Sequence, residues 1–459
     1  MSIENAGGVL LLSHVGFSFM EDLVDTVMAR GLKVYVLSSL PEPQHQNSRP
    51  TALSDLADDV RVTTEHVLTP RDIEDCLDHL EAAGESVLCC LTVWEGYRHL
   101  MALANARLAV PDLAEKQVLE LRDKLTLRNR LADAGLSRCR AFALTPETLA
   151  ERQRGTGRYF VKPVSGIASF GTFPLTSDTT WSDLRRIAAE ARSDTVYASV
   201  FTTEPDTTTS HDAGFEMGFL VEDYVPGQEF SFEVIVVDGE PNVIAVHEKC
   251  EVTEAAGTVL ENACLSPPTS LSRDEIATGI GWVARILDVL GLGWGCFHIE
   301  ARHASSGWDL IEVNPRVGGS LISPSVAALT GGPSLLDLWL DSLLSTRGPG
   351  PNPRFSKTLA GLSFAADGTT RSRNATFFRV FFAEPGTVRE VGVNDDLPLA
   401  PIVSHILLGP GDVVDSSARE VFLGQVLWRM DRADQDEILP VLLPASERAI
   451  EISYETEHR

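Results

Sequence analysis

The chain has 459 residues, with 38 Lys plus Arg against 65 Asp plus Glu and a formal net charge of −27 at pH 7. A surface this acidic repels nucleic-acid phosphates and anionic lipid, so neither is expected as a partner. With 44% hydrophobic and 22% charged residues, the composition is that of a globular chain of two or three domains. Any anionic ligand must then be held by locally placed cations or metals. The 7 cysteines are scattered without a CxxC pair, so neither a disulfide framework nor a zinc site is expected. No apolar run approaches the roughly 18 residues of a membrane helix, and VLLL near the N-terminus is too short for a signal segment. A reducing cytoplasm is the expected location.

The first elements alternate strand and helix. GVLLL at 8–12 reads as a buried strand, MEDLVDTVMARG as a helix closed by Gly31, and LKVYVLSS as a second strand. The rhythm continues through SVLCCLTVW and predicts a Rossmann-like parallel-sheet domain over 1–117, although no GxGxxG follows the first strand. Residues 118–135 have the periodicity of one helix capped by Gly135. AFAL and RYFVKPV read as strands, SGIASFGTF as a loop, Ser182–Arg192 as a helix and the Thr-rich 202–212 as a loop. A strand at FLVED, a Pro226-Gly227 turn and a long hairpin about Asp238-Gly239 come next. Ser272 and Glu275 have capping-box spacing for a helix running to about Leu290. The Pro/Gly cluster 347–354 marks a boundary between a central region, 118–346, and a β-rich C-terminal unit, 347–459.

The stretch HIEARHASSGWDLIEVNPR, His298 to Arg316, carries the most chemistry. Two alternating runs flank Ser305-Ser306-Gly307, the pattern of a hairpin. A turn centred near Ser306 opposes Glu300 to Glu312 and His298 to Asn314, all four on one face. Phe297, Ile299, Ile311 and Val313 then belong in a core. Like charges set opposite each other are destabilising, unless a divalent cation lies between them. Glu and Asn oxygens are hard donors, suited to Mg²⁺ or Mn²⁺. The alternative is an exposed face with two glutamates in water. Arg316 and the Gly318-Gly319 backbone beside this pair could hold an oxyanion.

Other pieces precede it. Lys162 ends an apolar strand and is followed by Ser165, Gly166, Ser169, Phe170 and Gly171, which form either a phosphate-wrapping loop or a plain turn. Glu222, Tyr224 and Val225 end a strand whose backbone could meet an adenine edge, and Glu229 could accept from ribose hydroxyls. Lys124 by itself reads as a surface lysine.

In this order the motifs resemble the ATP-grasp superfamily over about 118–340, and the whole chain resembles its L-amino acid ligase branch. The most specific motif is H-I-E…L-I-E-V-N-P-R-x-G-G; RDK, FVKP and EDYVPGQEFSFE support it. The resemblance implies a mixed α/β and α+β architecture: an N-terminal parallel-sheet domain, ATP-grasp subdomains and a β-rich C-terminal domain. It implies ATP and Mg²⁺ (or Mn²⁺), with an amino acid or small carboxylic acid and an amine as substrates. Lys124 and Lys162 would contact ATP phosphates, with the 165–171 loop as a closing lid. Glu222, Tyr224 and Val225 would border adenine, and Glu229 the ribose. Glu300, Glu312 and Asn314 would hold metal, while Arg316, Gly318 and Gly319 would hold the carboxylate and its acyl phosphate. Glu261 would meet a substrate ammonium, and Cys264 stands where that branch usually has histidine. The implied activity is an ADP-forming carboxylate–amine ligase. A carboxylase-type subunit and a non-catalytic nucleotide-binding regulator are the alternatives, and a homodimer is left open.

Overall fold

The computed structural model describes residues 7–14, 20–41, 48–167, 169–193, 200, 218–255, 258–345, 352–394, 396–415 and 421–455. The Thr-rich 202–212 loop and most of the 347–354 cluster lie outside them. Near the N-terminus, Val9 to Leu12 are flanked by apolar side chains on both faces and are fully buried, as an all-parallel sheet requires. Strands Asp59–Val62, Lys33–Ser38, Gly8–Ser13 and Val87–Leu91 lie side by side in that order, all parallel. Gly31 closes helix Met20–Met28 from φ +66. Helix Leu335–Leu344 packs into the same core through Trp339, and Arg30 fixes it by pairing with Asp337 and Asp341 at 2.9 and 2.6 Å. The N-terminal domain is thereby clamped to the rest of the chain.

The segment expected as one helix over 118–135 is two, Glu115–Arg122 and Lys124–Asp133. Asp123 leaves the helical conformation at ψ 88, and its carboxylate accepts from Thr126 N at 3.0 Å. An aspartate that caps a new helix competes with one that continues an old one. The break leaves Lys124 as the first residue of the second helix, its N–H bound to Val164 O.

A four-stranded antiparallel sheet follows, in the order Ala141–Ala143, Phe219–Asp223, Tyr159–Pro163, Phe173–Pro174. It faces an eight-stranded antiparallel sheet. Gly307–Asn314 forms one edge, followed by Gly295–Ala304, Gln228–Val237, Glu240–Ala255 and Thr258–Ser266. Asn374–Ala383, Val421–Asp431 and Val403–Ile406 complete it, so strands after the 347–354 cluster extend the sheet begun before it. The C-terminal unit also holds helix Gln435–Ser446, which its internal Pro440 and Pro444 concealed from a sequence reading.

Period-two patterning gives the large sheet two unlike faces. Phe230, Phe232, Val234, Phe297, Ile299 and Val313 point into a core covered by helix Arg273–Leu290. That helix has the expected capping box, Ser272 Oγ accepting from Glu275 N while the Glu275 carboxylate accepts from Ser272 N. The opposite face carries Glu229, Ser231 and Glu233, then His247 and Lys249, and then His298, Glu300 and Arg302.

Candidate active site

Register brings these polar side chains together. Glu300 opposes Glu312 and His298 opposes Asn314, the pairing expected from sequence. The route to it differs. The turn is the two-residue Ser305-Ser306, with Ala304 opposite Gly307, and a bulge beside Glu300 and Ala301 adds Ile311 to the partner strand. Without that extra residue the glutamates would miss each other. The bulge also corrects one expectation: Ile311 lies in the wall of the cleft and not in the core. On the other side, His298 pairs with Glu233, Glu300 with Ser231 and Arg302 with Glu229.

Between the two sheets is a solvent-open cleft of about 710 Å³. Twelve of the residues singled out from sequence line it. Lys124, Lys162, Gly166, Ser169, Phe170 and Glu222 come from the small sheet, its loop and the helix break. Tyr224, Val225, Glu229, Glu261, Glu300 and Glu312 come from the connection and the large sheet. Lys124 is no surface lysine: its ammonium pairs with Glu312 at 2.5 Å and donates to Gly166 O at 2.9 Å. Burial works against that charge, but Glu312 and Glu95 outweigh it and raise its pKa. Lys162 pairs with Glu222 at 2.6 Å, and Arg128 holds the other oxygen of that carboxylate at 2.9 Å.

The remaining expected residues lie outside the cleft lining. Ser165 and Asn314 are buried, at 9% and 3% exposed. Gly171 sits at φ +67 against Ile187 and Pro163. Cys264, 3% exposed, is part of the apolar core and does not face the cleft; burial raises its thiol pKa well above the ordinary value. Arg316 turns away from the cleft to Glu95 of the N-terminal domain, its Nε and Nη2 donating to one oxygen at 3.0 and 2.8 Å. Gly318 packs on the hairpin so closely that a Cβ there would lie 2.7 Å from His298 Nδ1.

Several functional candidates escaped the sequence reading. Lys249, 1% exposed, reaches Glu229 at 2.8 Å and Glu300 at 3.1 Å and also binds Glu261. Glu229, Glu261 and Glu300 place oxygens within 4.8 Å of one another, a donor set able to hold a metal ion. It shares only Glu300 with the set expected from sequence. Burial, followed by Glu300 and Glu229, pushes Glu261 up to about 7 against the pull of Lys249. Arg302 donates to Glu229 at 2.8 Å and to Tyr224 Oη at 3.0 Å. His298 bridges Glu233 at 2.8 Å and Glu300 at 3.0 Å. Burial disfavours its charge, but the two carboxylates prevail and hold its pKa at about 10. Lys249, Arg302 and Glu233 lie on alternating strand positions, and only the register revealed that they converge on the face that already held His298 and Glu300.

The chain is similar to known proteins in sequence and in fold. Residues 158–324 match the family described as ATP-grasp domain. The chain contains an ATP-grasp domain. The whole chain superposes on an L-amino acid ligase from Bacillus licheniformis with a TM-score of 0.72 and 16% identity, covering 98% of this chain and 100% of that one. A phosphoribosylglycinamide synthetase from Anaerococcus prevotii gives a TM-score of 0.63 and 14% identity, over 98% and 100% of the two chains. At these identities the likeness is one of fold. Carnosine synthase 1 from Gallus gallus is 25% identical over 362 residues, 72% of this chain and 35% of that protein. This chain thus matches about a third of that relative's length.

Proposed function

We propose that this protein is an ATP-dependent carboxylate–amine ligase, joining an amino acid carboxyl to an amino acid, peptide or other amine and releasing ADP and phosphate. The observation that carries the reading is the opposed Glu300–Glu312 pair at the floor of a cleft entered by Lys124 and Lys162. All-oxygen donors fit magnesium; Glu300 and Glu312, with Asn314 beside them, would hold it, and Glu229 and Glu261 could add donors. When bound, it supplies charge neutralisation to the transferred phosphoryl group.

The chain's own residues then have defined tasks. Lys124 and Lys162, now paired with Glu312 and Glu222, would turn to polyphosphate oxygens. The substrate carboxylate oxygen attacks the γ-phosphorus, the bond to the β,γ-bridging oxygen breaks, and ADP leaves. The amine nitrogen then attacks the acyl carbon, its C–O bond to phosphate breaks, and the nitrogen gives up a proton. Arg316, released from Glu95, and the Gly318-Gly319 backbone would hold the acyl phosphate beside His298. The 165–171 loop, carrying Phe170 at the cleft, would exclude water from it.

A pairwise amino acid screen for phosphate release, with mass spectrometry on the positives, tests the proposal. Condensed product with ADP is expected. AMP formation, or phosphate release without condensation, contradicts it. Glu312→Gln should lower turnover by at least about a hundredfold, as removal of a transition-state charge stabiliser does.

A further inference from the structure

The C-terminal unit reaches the turn that follows Arg316. Ser320 has a left-handed backbone at φ +54, a conformation in which a residue with a side chain is strained. Its Oγ donates to Gln425 Oε1 at 2.7 Å. Gln425, 6% exposed, lies on strand Val421–Asp431, and its Nε2 faces His405 Nδ1 of the neighbouring edge strand at 3.4 Å. Thus His405 and Ser320 together fix which way the Gln425 amide points. The turn also rests on the carboxylate hairpin, through Gly318 against His298. It is closed by Ile322 N donating to Gly319 O at 3.3 Å. Both ends of the turn are therefore anchored, one to the hairpin and one to a strand more than a hundred residues later in the chain.

We propose that Gln425 is a positioning residue: by holding Ser320 in its left-handed conformation it aims the Gly318-Gly319 backbone at the reacting carboxylate. A second polar route runs parallel to the first. Thr376 of the C-terminal strand Asn374–Ala383 meets Ser325 at 3.4 Å, and Ser325 holds His247 Nε2 at 2.6 Å, beneath Glu233. The C-terminal strands therefore support the site from behind as well as extending its sheet. The inference rests on the ligase reading of this turn, but it can be tested separately from it.

Glycine adopts the left-handed conformation without strain, which provides the decisive experiment. Gln425→Leu should lower kcat about tenfold with KM for ATP unchanged, as misplacement of a group at the reacting centre does. Ser320→Gly is the reference. The double variant S320G/Q425L should match S320G, because the conformation no longer needs its anchor. If the double variant stays as far below S320G as Q425L lies below the wild type, Gln425 acts through general packing and the proposal is overturned. Hydrogen exchange of the 316–321 amides gives a readout independent of turnover. Faster exchange in Q425L than in the wild type is expected, and equal exchange overturns the inference. Should the wild type form no condensed product with any substrate pair, the ligase reading alone fails, and the exchange result still decides the role of Gln425.

Discussion

Lys249 pairs with three carboxylates at once. Lys249→Met leaves them facing one another under burial, and should destabilise the fold by about 3–5 kcal/mol, the usual cost of orphaning a buried charge. An unchanged urea midpoint would contradict this. His99 makes a different prediction, on pH. Burial, and then Arg122, lower its pKa from 6.5 to about 4. The unfolded chain therefore binds the proton more readily. The contribution of His99 is fully present above pH 6.5 and is lost as pH falls toward 4. Allowing for partial solvent screening, the loss is on the order of 2 kcal/mol. His99→Gln should flatten the fall in denaturation midpoint between pH 7 and pH 4.5, and a slope equal to the wild type would contradict the assignment. At this scale the sequence was informative wherever chemistry sits in a short motif: Glu300, Glu312 and Lys162 were all identified from their neighbours. Lys249, Glu233 and Arg302 were not, because an alternating polar residue on a strand looks the same whether it faces water or a cleft.

Among the elements, the break at Asp123 shows how local chemistry serves the site. Periodicity alone suggested one helix from 118 to 135, since Arg122, Asp123 and Lys124 are all compatible with a helix interior. The cap at Asp123 could be seen only with Val164 in place to take the Lys124 N–H. Asp123→Ala should cost about 1 kcal/mol of stability, as loss of an N-cap does, and it should raise KM for ATP because Lys124 loses its fixed origin. A KM equal to the wild type would mean that the Glu312 ion pair alone positions the lysine. The Gly227 turn is a stricter case. A Cβ there would lie 2.2 Å from His303 O, and φ is +115. Gly227→Ala should therefore shift the Tyr224–Glu229 connection and weaken nucleotide binding, measurable by titration calorimetry. The proline-glycine signal at 226–227 was legible from sequence, but its close approach to the hairpin was not.

For the molecule as a whole, the strand order implies that the central and C-terminal regions do not fold independently. Thr258–Ser266 is paired on one side with Glu240–Ala255 and on the other with Asn374–Ala383. Ending the chain at residue 346 would strip that second partner and expose a strand edge with Ala263 and Leu265 beside it, a template for aggregation. The truncated protein should be insoluble or bind the apolar dye ANS strongly; a soluble, nucleotide-binding fragment would refute this. The mixed architecture and the β-rich C-terminal unit could be read from strand and turn patterns. The shared sheet could not, because antiparallel pairing between distant segments leaves no local trace in either partner.

The bulge at Ile311 has a practical consequence for labelling. It lies between the exposed Ser305-Ser306 tip and the two glutamates, so the register at the tip is already out of step with the register at the site. A dye or spin label attached at Ser305 would thus ride on a handle whose small displacements are absorbed before they reach Glu300 and Glu312, and would leave their pairing undisturbed.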